Sequence, residues 1–464
     1  MADSIIQQAI STGSSPTKLT VSMWIKGMAD KATTTQRSFF GFRDNADTDR
    51  FFNFYMSSNQ SLYTYWKDSS TVFTLGTTQK FIDPTAWGHF VLTMDTTLGT
   101  AADRVKMFWN GTRLTSFEDG LDTITQNKTM DLLENTDGKT TIGAAKTGST
   151  WHYWDGCISH VHYTDGFAYE ADTFGETDST SGIWKIKSSP SVSYGTNGFF
   201  MLKNDASLND DSGNGFTFTV ESGSVQPVLD SPSNNFATFS EPATTNNRGD
   251  TVTFTNGQTT ITNTGDGGWQ PLISTLAAKK GKWYAEFKCA TIGGASKYGI
   301  IDPIQYVVQV NWASATRGYG YEYNEGAFVN GASNWDNSWS GITNFTTNDI
   351  IGVAMDLDNM KLYFSKNGTW LQSADPTSGA TGTGTMTYFG GSSNTANASG
   401  VDYYAFTANI HNSSVTNANF GNGYFGTTAV ASGNADDNGV GTFEYDVPAG
   451  YYALCTKNLA SYGG

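Results

Sequence analysis

Apolar and polar residues alternate in short runs along this chain, and the period is two. Leu19, Val21, Met23 and Ile25 alternate with Thr20, Ser22, Trp24 and Lys26. Phe90, Leu92 and Met94 alternate with Val91, Thr93 and Asp95. This spacing predicts strands with one face on a core. An aromatic strand is predicted over Phe51–Met56, and others near Thr141 and Ile142 and over residues 157–163. Residues 104–109 run into Asn110-Gly111, where both turn positions tolerate positive φ, a strong hairpin signal. The second half repeats the habit. Trp283, Ala285 and Phe287 face one way, and Lys282, Tyr284, Glu286 and Lys288 the other. Ile351, Val353 and Met355 form another core face, then Leu362 and Phe364 before Asn367-Gly368. No long amphipathic helix is visible. The expected fold is all-β: two antiparallel sandwiches of jelly-roll type, joined by an irregular packed connector.

The pattern weakens between about 173 and 245, where Asp210-Asp211-Ser212-Gly213-Asn214-Gly215 and Asp230-Ser231-Pro232-Ser233-Asn234-Asn235 are rich in turn residues. The expected division is an N-terminal arm over 1–17, a first sandwich over 18–172, a connector packed on it over 173–245, and a second sandwich over 246–464. The halves share no fixed-period repeat.

Composition adds to this picture. The chain has 464 residues, of which 14% are aromatic and only 15% charged, with 51 glycines. Its 27 basic and 43 acidic side chains give a formal net charge of −16, which speaks against non-specific nucleic-acid binding. No stretch of 18 apolar residues predicts a membrane span. Residues 1–16 are polar and lack the basic and apolar regions of a secretory signal. Cys157, Cys289 and Cys455 are far apart, without metal-ligand spacing or a disulfide framework, so buried free thiols are expected.

The stretches Gly281-Lys282-Trp283-Tyr284-Ala285-Glu286-Phe287, residues 348–356 and Lys361-Leu362-Tyr363-Phe364-Ser365-Lys366-Asn367-Gly368-Thr369-Trp370 resemble a SPRY (B30.2-like) domain. Residues 417–421 and 448–451 look like its usual ending. Earlier in the chain, Trp87-Gly88-His89-Phe90, Phe108-Trp109-Asn110-Gly111 and Trp154-Asp155-Gly156-Cys157 resemble concanavalin A-like and laminin-G-like lectin domains. The order continues through Phe174-Gly175-Glu176, Gly182-Ile183-Trp184 and Tyr194-Gly195-Thr196-Asn197-Gly198-Phe199. As a whole it resembles structural proteins of tailed phages, especially marine ones, in which a lectin-like sandwich precedes a SPRY-like one.

That resemblance implies a non-enzymatic virion protein, assembled in the host cytoplasm and attached to capsid or tail as a decoration or fibre-tip appendage. It implies other virion proteins as partners, a homo-oligomer, and help in host-surface attachment through glycans. A dedicated receptor-binding tail fibre is the alternative, and a glycoside hydrolase is a further one, because some lectin-like sandwiches are hydrolases. Such enzymes place paired carboxylates on one strand. Here Glu444-Tyr445-Asp446 lacks a third acid, since Ala449 stands where it would fall, and Asp356 and Asp358 look like solvated turn acids.

Related lectin domains often hold Ca²⁺ at the sandwich rim. Asp44, Asp47 and Asp49 are candidate ligands, as is the run Asn209-Asp210-Asp211, although each also reads as a solvated acidic turn. His160 and His162, two apart on a strand with His89 or His152 as a third ligand, form a weaker zinc candidate. For sugar stacking, Trp335, Trp339 and Asp336 sit in a Ser/Asn/Gly loop that makes a poor core segment, and Tyr321 and Tyr323 alternate on one strand face with Tyr319. Trp151 and Trp154 are expected to pack. Tyr63, Tyr65 and Trp66 are further aromatics open to either role.

Overall fold

The structure is a computed structural model. It describes residues 4–10, 16–27, 36–44, 50–68, 71–118, 124–130, 138–203, 208–240, 252–265, 269–303, 318–323, 326–329, 344–385 and 403–463. The chain divides into two compact units, residues 1–227 with 231–233, and residues 228–230 with 234–464. Both are built of antiparallel strands, apart from a short parallel pairing of Trp283 with Tyr452 and Tyr284 with Ala453 in the second.

The first unit is a sandwich of two sheets. The seven-stranded sheet runs β17 (Thr219–Ser222), β1 (Ile5–Ala9), β10 (Lys139–Ile142), β3 (Arg37–Arg43), β4 (Phe51–Met56), β5 (Ser61–Asp68) and β6 (Thr71–Lys80). The six-stranded sheet runs β16 (Phe199–Met201), β13 (Cys157–Asp165), β2 (Lys18–Lys26), β7 (Gly88–Asp95), β8 (Val105–Trp109) and β9 (Thr112–Arg113). Leu19, Val21, Met23 and Ile25 meet Phe90, Leu92 and Met94 on one side of the core, and Phe40, Phe42, Phe52 and Phe54 come from the other. The period-two pattern thus places the inward faces as expected. The Asn110-Gly111 turn has φ of 46° and 81°, which lets the strands of the β8–β9 hairpin keep their twist. Gly111 serves a second purpose: a Cβ there would lie 2.5 Å from the Trp184 ring.

The outer face of the six-stranded sheet is covered by irregular chain. Its threonines catch that chain's backbone: Thr164 donates to the Phe167 carbonyl at 2.7 Å, Thr20 accepts from the Tyr169 N–H at 2.8 Å, and Thr93 donates to the Tyr169 carbonyl. Val91 and Phe108 then pack with Ala171, Phe174, Tyr169 and Trp184. Two short strands, β14 (Gly175–Thr177) and β15 (Trp184–Ile186), brace this cover.

The second unit pairs an eight-stranded sheet with a five-stranded one. Lys282–Thr291, Ile350–Asp356 and Lys361–Lys366, the strands that carry the SPRY resemblance, are neighbours in the larger sheet. Trp283, Ala285, Phe287, Ile351, Val353, Met355, Leu362 and Phe364 all reach the core. Tyr284 and Glu286 point to the opposite face, as expected, but are also buried, under residues 434–455. The chain ends in a seven-residue helix, α1 (Thr456–Tyr462). No helix among the described residues is long and apolar enough to cross a membrane.

Two boundaries differ from expectation. The N-terminal segment is not a free arm, because β1 lies between β17 and β10 with Ile5 and Ile6 fully buried. The end of the predicted connector belongs to the second unit. Phe236 bridges to Cys455 and Phe239 to Ser274, and Ala237 and Phe239 enter the second core. Burial of these few apolar residues outweighs the turn-rich composition around them.

Removing residues 1–10 therefore strips an interior strand from the first sandwich. Ile6→Ala should cost about 2–4 kcal/mol of that unit's stability, read as a lowered denaturation midpoint with unchanged unfolding of the second unit. An unchanged first transition would mean that β1 is dispensable.

Candidate binding face

On the seven-stranded sheet, the side opposite the core carries aromatic and polar side chains in register. Across β4 and β5, Tyr55 stands opposite Tyr63 and Asn53 opposite Tyr65. Tyr55 and Tyr63 stack at 5.5 Å, and Phe51 and Tyr65 at 5.2 Å, as cross-strand aromatic pairs do. All three tyrosines are half-buried. The Tyr63 ring lies across Gly76 of β6, where an added Cβ would come within 2.2 Å of it. Its hydroxyl donates to Glu118 Oε2 at 2.7 Å, and Glu118 is held in turn by Lys80 at 2.9 Å. That ion pair and hydrogen bond keep the Glu118 carboxyl below its usual range. The ring is thus fixed at both ends before any ligand arrives.

A hairpin, β11 (Ala144–Thr147) and β12 (Thr150–Tyr153), bounds the face on its other side. Gly41 of β3 lets it approach, since a Cβ there would lie 2.6 Å from that of Ala145. Asn53 donates to Thr147 Oγ1 at 2.8 Å, and Thr141 donates to the Ala144 carbonyl at 2.8 Å. The hairpin carries half-buried Trp151 and Tyr153, and the Arg43 guanidinium sits 5.0 Å from the Trp151 ring. Exposed ring edges flanked by hydroxyl, amide and cationic groups can stack on the apolar face of a pyranose and hydrogen-bond its hydroxyls.

The residues expected from sequence fall elsewhere. Trp335, Asp336 and Trp339 lie outside the described residues, as do Asp47 and Asp49. Tyr321 is no ligand contact: it is fully buried and packs edge-on against Phe345 at 5.0 Å, with Tyr319 also in the core. Tyr323 is half-buried and packs on the same core. Asp44 is buried, and its N–H pairs with the Arg50 carbonyl. Asp210 is occupied by the N–H groups of Phe200, Ser212 and Phe216 and by the Ser212 hydroxyl. Among the described residues no group of three or more His, Cys, Asp or Glu gathers as a metal site. Trp154 and Trp66 are fully buried in the first core.

Two other constellations resemble chemistry and are structural. Ser22 Oγ lies 2.8 Å from His89 Nε2, the pairing of a nucleophile with a base. Trp184 Nε1, however, donates to His89 Nδ1 at 3.0 Å, so the imidazole proton sits on Nε2 and donates to Ser22. That is the wrong tautomer for taking a proton. His160 and His162 do not face alike: the register breaks between Ser159 and His162, and His160 has a φ of 48°. His162 stacks on Phe200 at 3.8 Å and meets the Tyr194 hydroxyl at 2.9 Å. The acids weighed for hydrolysis are also committed. Asp356 is not solvated but fully buried, pairing with Lys282 at 3.0 Å and accepting from Asn359. Asp358 accepts from the Gly281 N–H, and Glu444 from the Ala431 N–H.

Residues 6–167 match the family described as the concanavalin A-like lectin/glucanases superfamily, Laminin_G_3. Among solved structures, the SPRY domain of human HERC1 is similar at 13% identity, covering 39% of this chain and 96% of its own, with a TM-score of 0.27. A native heptameric SAP-like pentraxin from Limulus polyphemus is similar at 16% identity, covering 36% of this chain and 71% of its own, with a TM-score of 0.25. No curated protein matches the chain. The matched residues fall within the first unit, and the aromatic face lies on one of the two sheets of its sandwich.

Buried titratable groups give the two units opposite pH responses. Burial holds His89 down to about 3 and His160 to about 4, against an ordinary value of 6.5. The unfolded chain therefore binds these protons first, and the first unit loses stability as pH falls below about 6.5. In the second unit, burial pushes the Glu286 carboxyl up to about 7, against four donors that hold it down. There the folded state keeps the proton longer, so that contribution is full below about pH 4.5 and is lost as pH rises through 7. Calorimetry from about pH 5 to about pH 7 should move the first unit's transition up and the second's down, and Glu286→Gln should flatten the second trend. Parallel movement of both transitions would contradict these assignments.

Proposed function

We propose that this chain is a non-enzymatic structural protein of a phage particle, a compact appendage on capsid or tail that holds host-surface glycans on its lectin-like unit. The observation that carries the glycan reading is the aromatic outer face of the seven-stranded sheet, with Tyr63 fixed by Gly76 and Glu118 and bounded by the Trp151 hairpin. The particle reading is supported by the order of motifs along the chain, a lectin-like sandwich followed by SPRY-like strands. An appendage of this kind works as repeated copies, so that weak single contacts add up to firm attachment. Residues 335–339 are proposed as a second contact in the other unit.

A glycan array separates the two contacts. Tyr63→Ala with Tyr65→Ala should remove about 1 kcal/mol of binding for each ring, roughly thirtyfold together. Trp335→Ala with Trp339→Ala should weaken binding through the second contact alone. Binding by both double variants at the parent level would refute the glycan reading. On a density gradient of intact particles the chain should sediment with them, and its recovery only in the unassembled fraction would refute the particle reading.

A further inference from the structure

The aromatic face is bordered by a row of cations in register, and this points to the chemistry of its ligand. Lys139 of β10 stands opposite Arg43 of β3, Arg43 opposite Phe51 of β4, and Phe51 opposite Lys67 of β5. Lys146 reaches the same place from the hairpin, its Nζ 6.0 Å from the Trp151 ring that Arg43 also covers. Four adjacent strands span about 14 Å, the reach of a short oligosaccharide. In a chain of net charge −16, a border that carries Lys139, Arg43, Lys67 and Lys146 runs against the overall balance.

Like charges directly opposite one another on a sheet are destabilising. Between Lys139 and Arg43 that repulsion is weakly answered. Glu221 is the near acid, and it accepts from the Gln7 amide while its field reaches Arg43. No carboxylate among the described residues forms an ion pair with Lys139, Arg43 or Lys146. Arg43 Nε is buried with no acceptor, and burial lowers the pKa of this guanidinium. An arginine so placed, with its fork over a tryptophan, is poised for a carboxylate or sulfate.

We infer that the face binds an acidic glycan, one bearing uronate or sulfate groups, with the sugar rings on Tyr63 and Tyr65 and the anionic groups along Lys139, Arg43 and Lys146. This rests on the glycan reading above. Stacking rings beside cations also suit single-stranded nucleic acid, but the match of residues 6–167 to a concanavalin A-like lectin/glucanases family favours a sugar, and the oligothymidylate arm of the test separates the two.

Isothermal titration of the full chain with a uronic-acid hexasaccharide, with the same hexasaccharide after carboxyl reduction, and with an oligothymidylate tests this. The acidic sugar should bind at least tenfold more tightly than its reduced form, and more weakly as salt rises. Lys139→Gln with Lys146→Gln should abolish that preference and leave the neutral affinity unchanged, while Tyr63→Ala with Tyr65→Ala should weaken both. Equal binding of the two sugars would overturn the acidic preference and leave the glycan reading standing. Binding of neither would overturn both. Tighter binding of the oligothymidylate than of either sugar would overturn the inference in favour of a nucleic acid.

Discussion

Irregular chain is tied to the outer surface of each sandwich by buried polar side chains that have no water to fall back on. A buried donor or acceptor left unmade costs about 1–3 kcal/mol, so each such group fixes the segment that satisfies it. In the first unit Thr20, Thr93, Thr164 and His89 grip residues 167–184. In the second, Glu286 accepts from the N–H groups of Glu444 and Tyr445, while Asn419 beside it donates to Glu286 and to the Thr442 carbonyl. Asp436 similarly gathers Asn438, Val440, Ala453 and Asn458. Strands of this length would otherwise expose wide polar-and-aromatic faces. Sealing them turns short sheets into thick, rigid bodies.

The same rule explains where an aromatic face stays partly open. The six-stranded sheet has its outer side closed by the chain that follows it, with Val91 and Phe108 under Phe174 and Trp184. Among the described residues, the seven-stranded sheet is crossed in part, by the hairpin that packs on Gly41 and Asn53. Beyond that hairpin the tyrosines of β4 and β5 keep partial exposure, and Val72 of β6 is 52% exposed. A site on strands is also better held than one on loops, because each ring is set by its neighbours across the ladder.

Alternation made the cores legible. Every inward residue predicted on the β2, β7 and Trp283 strands is buried, and both Asn-Gly turns adopt positive φ. What alternation does not report is which side of a strand is covered, or by what. Tyr319 and Tyr321 alternate as Tyr63 and Tyr65 do, yet the first pair fills a core and the second faces outward. Glu286 faces away from its core, as alternation predicts, but its burial depends on residues more than 150 positions later. Nothing in the pattern marks β1, because Ile5-Ile6-Gln7-Gln8 does not alternate: its edges are set by β10 and β17, far along the chain. The cation row was hidden for the same reason, since Lys139, Arg43 and Lys67 become neighbours only through strand order. The pairing itself supplies the missing signal.

The outer side of the seven-stranded sheet is the proposed contact surface of the first unit. Hydroxyl-radical footprinting of the full chain, with and without a saturating oligosaccharide, tests it at single-residue level. Protection is expected at Tyr55, Tyr63, Tyr65 and Trp151 on binding, with the sealed face around Trp184 unchanged. Protection confined to residues 335–339, with those four side chains oxidised as fast as in the free protein, would contradict it.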